Sequence, residues 1–287
     1  MAATWRTGTR NGLEVVEIET AASTAAIALQ GAQVLSFTPR GGRDWLWVSE
    51  RARWAPGVAL RGGIPVCFPW FGPHPTERGF PAHGFARTRG WRLASVDGVE
   101  GHVRAELVLT ADDATRAFFP AAFEARLTVT VGDELSLAFE VANSDPAPFA
   151  YEVALHSYLA VADVETAAID GLQGRAFVDK VAGGAERREG DAPVRIAGEV
   201  DRVYDNDGAV TLRDPAGARS LRLEAQGAGS TVVWNPAPAK TATLSDMSPD
   251  GYRHFVCVES GAIGARRVTL APGARHRLSV RYRAVAT

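Results

Sequence analysis

An all-β fold, built as one large antiparallel sandwich, is what the sequence predicts, and three observations lead to it. Apolar and polar residues alternate with period two in one segment after another, helical periodicity is almost absent, and no linker or internal repeat divides the 287 residues. The chain is therefore read as a single domain over 1–287. A strand sends successive side chains to opposite faces, so each alternating segment marks a strand with one face in a core. Segments 13–18 and 33–38 come first. Between them and the next strand lies RGGIPVCFPWFGPHP (61–75), whose glycines permit unusual backbone angles and whose prolines remove donors and fix φ, so it reads as a stiff, irregular loop exposing aromatics as a binding wall. The same aromatics would equally serve to plug one end of a core.

Segment 102–110 alternates, and 111–119 holds the single short helical turn expected. In FEARLTVTVGDELSLAFEVAN, strands 123–131 and 134–143 form a hairpin with Gly132 and Asp133 as a two-residue turn. YEVALHSYLAV follows as a strand placing Tyr151, Val153, Leu155, Ser157 and Leu159 on one face and Glu152, Ala154, His156 and Tyr158 on the other. The polar, Gly-rich stretch 183–199 reads as a long surface loop. Segments 221–224, 231–234 and 276–282 complete the strands, the last within a second hairpin, RVTLAPGARHRLSVRYR.

The composition bounds the function. With 46% hydrophobic and 22% charged residues the chain can bury a full core, and a formal net charge of −2 leaves no electrostatic footprint for nucleic acid or anionic lipid. Cys67 and Cys257 sit among apolar neighbours, as buried free cysteines do, which fits a reducing cytoplasm. The N-terminal residues lack the apolar core of a signal peptide, and no apolar run approaches the roughly 20 residues of a membrane helix. A cytoplasmic protein with no membrane partner is expected.

Several side chains are candidates for chemistry. His156 lies on the polar, aromatic face of its strand and is either a proton-transfer group or a half-exposed histidine without a role. Glu259, in HFVCVESG, shares a face with Phe255 and Cys257, and apolar walls raise a carboxyl pKa towards the range useful for proton transfer. A strand-end glutamate paired with an arginine is the alternative. His83 and Arg87 in PAHGFARTRG are close enough to converge on one polar ligand, and Arg61 beside the paired glycines carries a planar fork suited to phosphate, carboxylate or hydroxyl groups. Asp201 in EVDRVY is either a ligand group or simply neutralised by Arg202. No HExxH, paired CxxC, P-loop, strand-borne GxGxxG or GxSxG is present, so neither a metal, a nucleotide nor a serine-hydrolase reading finds its usual spacing.

Taken in order, RGGIPVCFPWFGP (61–73), PAHGFARTRGW (81–91), the strand with His156, EVDRVY (199–204), VVWNPAP (232–238) and FVCVESG (255–261) resemble the hexose-6-phosphate mutarotases, the glucose-6-phosphate 1-epimerases of the aldose 1-epimerase superfamily. The resemblance spans nearly the whole chain. It implies a β-supersandwich like that of galactose mutarotase, no metal and no organic cofactor, and a small-molecule hexose 6-phosphate as substrate; separately from the resemblance, a monomer is expected. Carried over by motif, it implies His156 as general acid, Glu259 as general base, Arg61, His83, Arg87 and Asp201 as contacts to the sugar or its phosphate, and Trp234 near the pocket. Some relatives have glutamine before HGFAR where this chain has Ala82, so any hydrogen bond from that glutamine is absent or replaced. Two other readings share the motifs: a carbohydrate-binding protein that keeps the fold without catalysis, and an epimerase for unphosphorylated aldoses.

Overall fold

The computed structural model describes residues 3–286. Strands dominate, and their ladders are antiparallel. A nine-stranded sheet runs in the order Val194–Arg195, Ala168–Asp170, Val210–Asp214, Arg219–Gln226, Arg275–Val285, Leu135–Asn143, Phe123–Val131, His102–Thr110 and Arg92–Val99. An eight-stranded sheet runs Ala185–Arg188, Ala176–Asp179, Val200–Asp205, Ser230–Asn235, Phe255–Ala262, Val153–Leu155 and Val66–Cys67, with Tyr158–Ala160 also paired to Phe255–Ala262. The N-terminal strands Thr4–Arg10, Leu13–Glu19, Ser23–Ala28 and Gln33–Pro39 form a four-stranded sheet of their own.

Alternation explains the packing. Phe123, Ala125, Leu127, Val129 and Val131 are all buried while the residues between them are not. Full burial of a leucine or valine is worth about 1.5–3 kcal/mol, and slipping this strand by one residue would turn every one of these side chains outward. That face of the nine-stranded sheet shares one core with Leu155, Leu159, Val256 and Val258 of the eight-stranded sheet. A buried hydrogen bond at 2.6 Å between Ser157 Oγ and the Tyr282 hydroxyl ties the two sheets together.

The structure corrects several local expectations. Val131 pairs with Leu135, so the hairpin connection has three residues, Gly132 to Glu134, rather than two. The predicted C-terminal hairpin does not form. Val268–Leu270 pairs with Phe149–Tyr151, and Arg275–Val285 lies between Leu135–Asn143 and Arg219–Gln226. Alternation marks a strand but not its partner, and here distant strands with matching apolar faces win. The stretch 183–199 includes the short strands Ala185–Arg188 and Val194–Arg195, because open sheet edges accept even polar backbone. A short helix, Asp113–Arg116, capped by Asp112, occupies the expected place. No helix among the described residues is long and apolar enough to cross a membrane.

Candidate active site

The strand predicted across 151–159 is broken into Phe149–Tyr151, Val153–Leu155 and Tyr158–Ala160, yet its two faces separate as the alternation requires. Tyr151, Val153, Leu155 and Leu159 enter the main core, whereas Ala154 and Tyr158 join small clusters on the opposite face of the eight-stranded sheet. That opposite face is the floor of the candidate site. Leu155 pairs with Ser260 and Tyr158 with Cys257, so one register passes through the break and sets His156 across from Glu259. Asp201 stands opposite Trp234 and Trp234 opposite Cys257, which puts Asp201, Trp234, Cys257 and Tyr158 in the neighbouring row. Four of the predicted residues thus share one sheet face.

Two loops wall the floor. The RGG turn packs so tightly that a side chain on Gly63, at φ 61°, would run into the Val34 carbonyl. It leaves Arg61 with Nε 2.9 Å from Asp246 Oδ1 and Nη1 donating to the Tyr158 hydroxyl at 3.3 Å. The aromatics that follow are not an exposed wall. Phe68 and Trp70 are buried in the core, and only Phe71 is half-buried beside the site, where it meets the His83 ring edge-on at 4.8 Å. The core-plugging reading holds for Phe68 and for Trp70, whose indole N–H is satisfied by the Pro81 carbonyl at 2.9 Å. Gly84, at φ 72°, lets the second loop lie directly on the Phe68 carbonyl, and His83 beside it takes the unusual φ of 64°. A non-glycine residue held there costs about 1–3 kcal/mol, strain that collects at functional sites.

His83 and His156 approach within 5.6 Å between ring centres, and Tyr158 stacks on His156 at 4.7 Å. His156 Nδ1 lies 3.3 Å from Glu259 Oε1, not aligned for a hydrogen bond, and Nδ1, Glu259 Oε2 and Arg87 Nε are all buried without a hydrogen-bond partner in the protein. Buried polar atoms left without a partner cost about 1–3 kcal/mol each, which makes these three candidate contacts for a bound group. Burial, then the charge of Asp201, raises the Glu259 carboxyl well above the ordinary range, with Lys180 and Arg87 opposing it. Burial, followed by His83, Arg87 and Arg61, lowers His156 far below an ordinary histidine. His83 falls to about 3, again through burial first and then Arg87, Lys180 and Arg61. Burial thus favours the protonated form of Glu259 and the neutral form of His156.

Arg87 donates through Nη2 to the Ala82 carbonyl at 2.8 Å. Asp201 is not neutralised by Arg202, which instead bonds Glu189 at 2.9 Å; its cation is Lys180, at 3.9 Å. Sequence reasoning missed Lys180, Asp246 and the stacking role of Tyr158. Asp246 leaves no local trace, because it meets Arg61 only through the fold. His156, Cys257 and Glu259 each offer one donor atom within 4.8 Å of the others, a set that would fit a soft divalent cation, although burial, first among the causes, raises the Cys257 thiol well above its ordinary range.

Comparison with known proteins adds an independent line. A sequence model described as aldose 1-epimerase matches residues 14–283. A protein of Salmonella typhimurium provisionally named glucose-6-phosphate 1-epimerase is 36% identical over 249 residues, covering 86% of this chain and 83% of that one. The crystal structure of a provisionally assigned mutarotase from Salmonella typhimurium superposes with a TM-score of 0.92 at 32% identity, covering 99% and 94% of the two chains. A galactose mutarotase-like protein from Clostridium acetobutylicum, only 12% identical, shares the fold with a TM-score of 0.77 over 100% of this chain and 99% of its own.

Proposed function

Because the chain belongs to the aldose 1-epimerase family and is an isomerase of the epimerase type, we propose that it interconverts the α and β anomers of an aldohexose 6-phosphate, D-glucose 6-phosphate foremost. The observation that carries this reading is the pairing of His156 with Glu259, two buried groups facing each other with polar atoms left open. Opening the ring requires a proton to leave the C1 hydroxyl and another to reach the ring oxygen. Protonated Glu259 with neutral His156 holds as many protons as carboxylate with imidazolium, so one proton moved from Glu259 to His156 creates the base and the acid together. Glu259 then accepts the hydroxyl proton while His156 protonates the ring oxygen, giving the free aldehyde. After rotation about C1–C2 the two exchange roles and close the ring on the other face. Each positioned group contributes on the order of 10² to 10⁴ in rate.

Arg61, His83, Arg87 and Asp201 are assigned to holding the sugar and its phosphate, and Trp234 to one wall. Arg87 Nε is available for this, and neutral His83 offers a hydrogen bond without charge repulsion against the cations around it. The chemistry asks for no cofactor, and the chain is assigned to the cytoplasm as a monomer of one domain. Anomer exchange followed by NMR, with glucose 6-phosphate and glucose in parallel, tests the reading. Faster exchange of the phosphorylated sugar supports it; equal exchange of both moves the enzyme to free aldoses, and catalysis of neither leaves a carbohydrate-binding protein.

A further inference from the structure

The chain carries 31 basic residues, and all but Lys180 and Lys240 are arginines. Both lysines bear on one group: each lowers the Asp201 carboxyl, which burial raises. They come from separate segments, Lys180 from the turn after Ala176–Asp179 and Lys240 from the short helix Ala237–Thr241. In a chain that otherwise chooses arginine, a compact ammonium beside the site floor marks a place where a planar fork is not what is used.

Three cations influence the His156 and Glu259 pair, and they differ in how far they are committed. Arg61 is engaged with Asp246 and Tyr158, and Arg87 spends Nη2 on the Ala82 carbonyl. Lys180 has a fixed root and an open head. Its backbone N–H donates to the Asp201 carbonyl at 2.9 Å and its carbonyl accepts from Gly183 at 3.2 Å. Its Nζ sits 4.5 Å over the Phe71 ring and 3.9 Å from Asp201 Oδ1, beyond hydrogen-bond reach, and makes no hydrogen bond among the described residues. Phe71 touches His83, so the ammonium is held at the rim of the site by an apolar face and a distant countercharge.

We propose that Lys180 is the specificity-determining residue of this site, the cation whose donors turn to the phosphate of a phosphorylated sugar. The proposal rests on the hexose 6-phosphate reading above. A phosphate offers up to three acceptor oxygens and a charge that Asp201 at 3.9 Å supplies only weakly, so the ammonium exchanges a long ion pair for charge-assisted hydrogen bonds. A free aldose brings no anion and leaves Lys180 where it is. Selectivity for the phosphorylated sugar would then depend on this flexible side chain, added to the arginines assigned to the sugar and its phosphate.

The test compares Lys180→Met, which keeps the stem on Phe71 and removes the charge, with Lys180→Arg. The ratio of kcat/KM for glucose 6-phosphate to that for glucose should fall about tenfold or more in Lys180→Met, the scale of one lost bond to a charged group, and less in Lys180→Arg. Calorimetric titration with inorganic phosphate should show weaker binding in Lys180→Met than in the parent, a readout that needs no catalysis. An unchanged ratio, or phosphate binding equal in parent and variant, overturns the proposal. Loss of both sugars in equal proportion does so too, since it would mean that Lys180 acts only through the fold or the charge of Glu259. Should the parent exchange neither sugar, the functional reading fails while the phosphate titration still decides on Lys180.

Discussion

Burial pushes Glu259 towards its protonated form and His156 towards its neutral form, which makes both costly to the fold as well as useful to the proposed chemistry. Replacing either by alanine should lower anomer exchange by at least about 10²-fold, with circular dichroism unchanged because both sit on a sheet face outside the main core; near-normal exchange in a folded variant would remove them from the mechanism. Glu259→Gln should keep sugar binding while losing turnover. It should also raise stability in a pH-dependent way. The folded Glu259 pKa lies above its ordinary 4.5, so the stability it contributes is complete below that value and is lost as pH rises towards the folded pKa. His156, lowered from 6.5, acts in the opposite sense, costing stability below that pH. The amide should therefore raise Tm at pH 8 and much less at pH 4. Equal melting of parent and variant at pH 8 would show that the carboxyl pays no burial penalty.

The elements that matter most are the two loops laid over the sheet. Glu152 ties the first of them to the turn after Phe255–Ala262, accepting from the Phe71 N–H at 2.9 Å and the Gly264 N–H at 2.7 Å. Gly84→Ala should be the most damaging small substitution, since its positive φ disfavours a Cβ and the Phe68 carbonyl occupies the space. A loss of more than about 2 kcal/mol, together with a fall in exchange as His83 and Arg87 shift, is expected; chemical denaturation and NMR exchange measure both. A variant as stable and active as the parent would mean that the loop is free to move away. The sequence marks these loops by their glycines, but the atoms that the glycines avoid belong to strands and loops brought near by folding.

For the whole molecule, the proposed cycle consumes and releases equal numbers of protons, so activity should survive exhaustive chelation and dialysis. Added zinc should inhibit, competing with the sugar for His156, Cys257 and Glu259. Activity lost to a chelator and restored by one metal would replace the two-residue mechanism with a metal-assisted one. The test suits the intact chain, because Cys257 and Glu259 come from Phe255–Ala262 and His156 from the break between two strands that pair with it.

The fold class, the face on which His156 sits and the positions of the strands that alternate clearly were legible in the sequence, because a period of two is a local property; strands such as Ser23–Ala28, Ala168–Asp170 and Val210–Asp214 were not read from it. The family resemblance was legible for a similar reason: RGGIPVCFPWFGP, HGFAR and FVCVESG are contiguous stretches. Pairing was not. Nothing local to Val268–Leu270 says that it joins Phe149–Tyr151, and nothing local to His156 says that Glu259 lies across from it. That opposition arises from a register shared by strands about a hundred residues apart. Burial, too, belongs to the assembled molecule. It took Phe68 and Trp70 into the core, left Phe71 half-buried, and raised the Glu259 carboxyl above its ordinary range, because the cost of a charge depends on how much water the tertiary structure leaves around it.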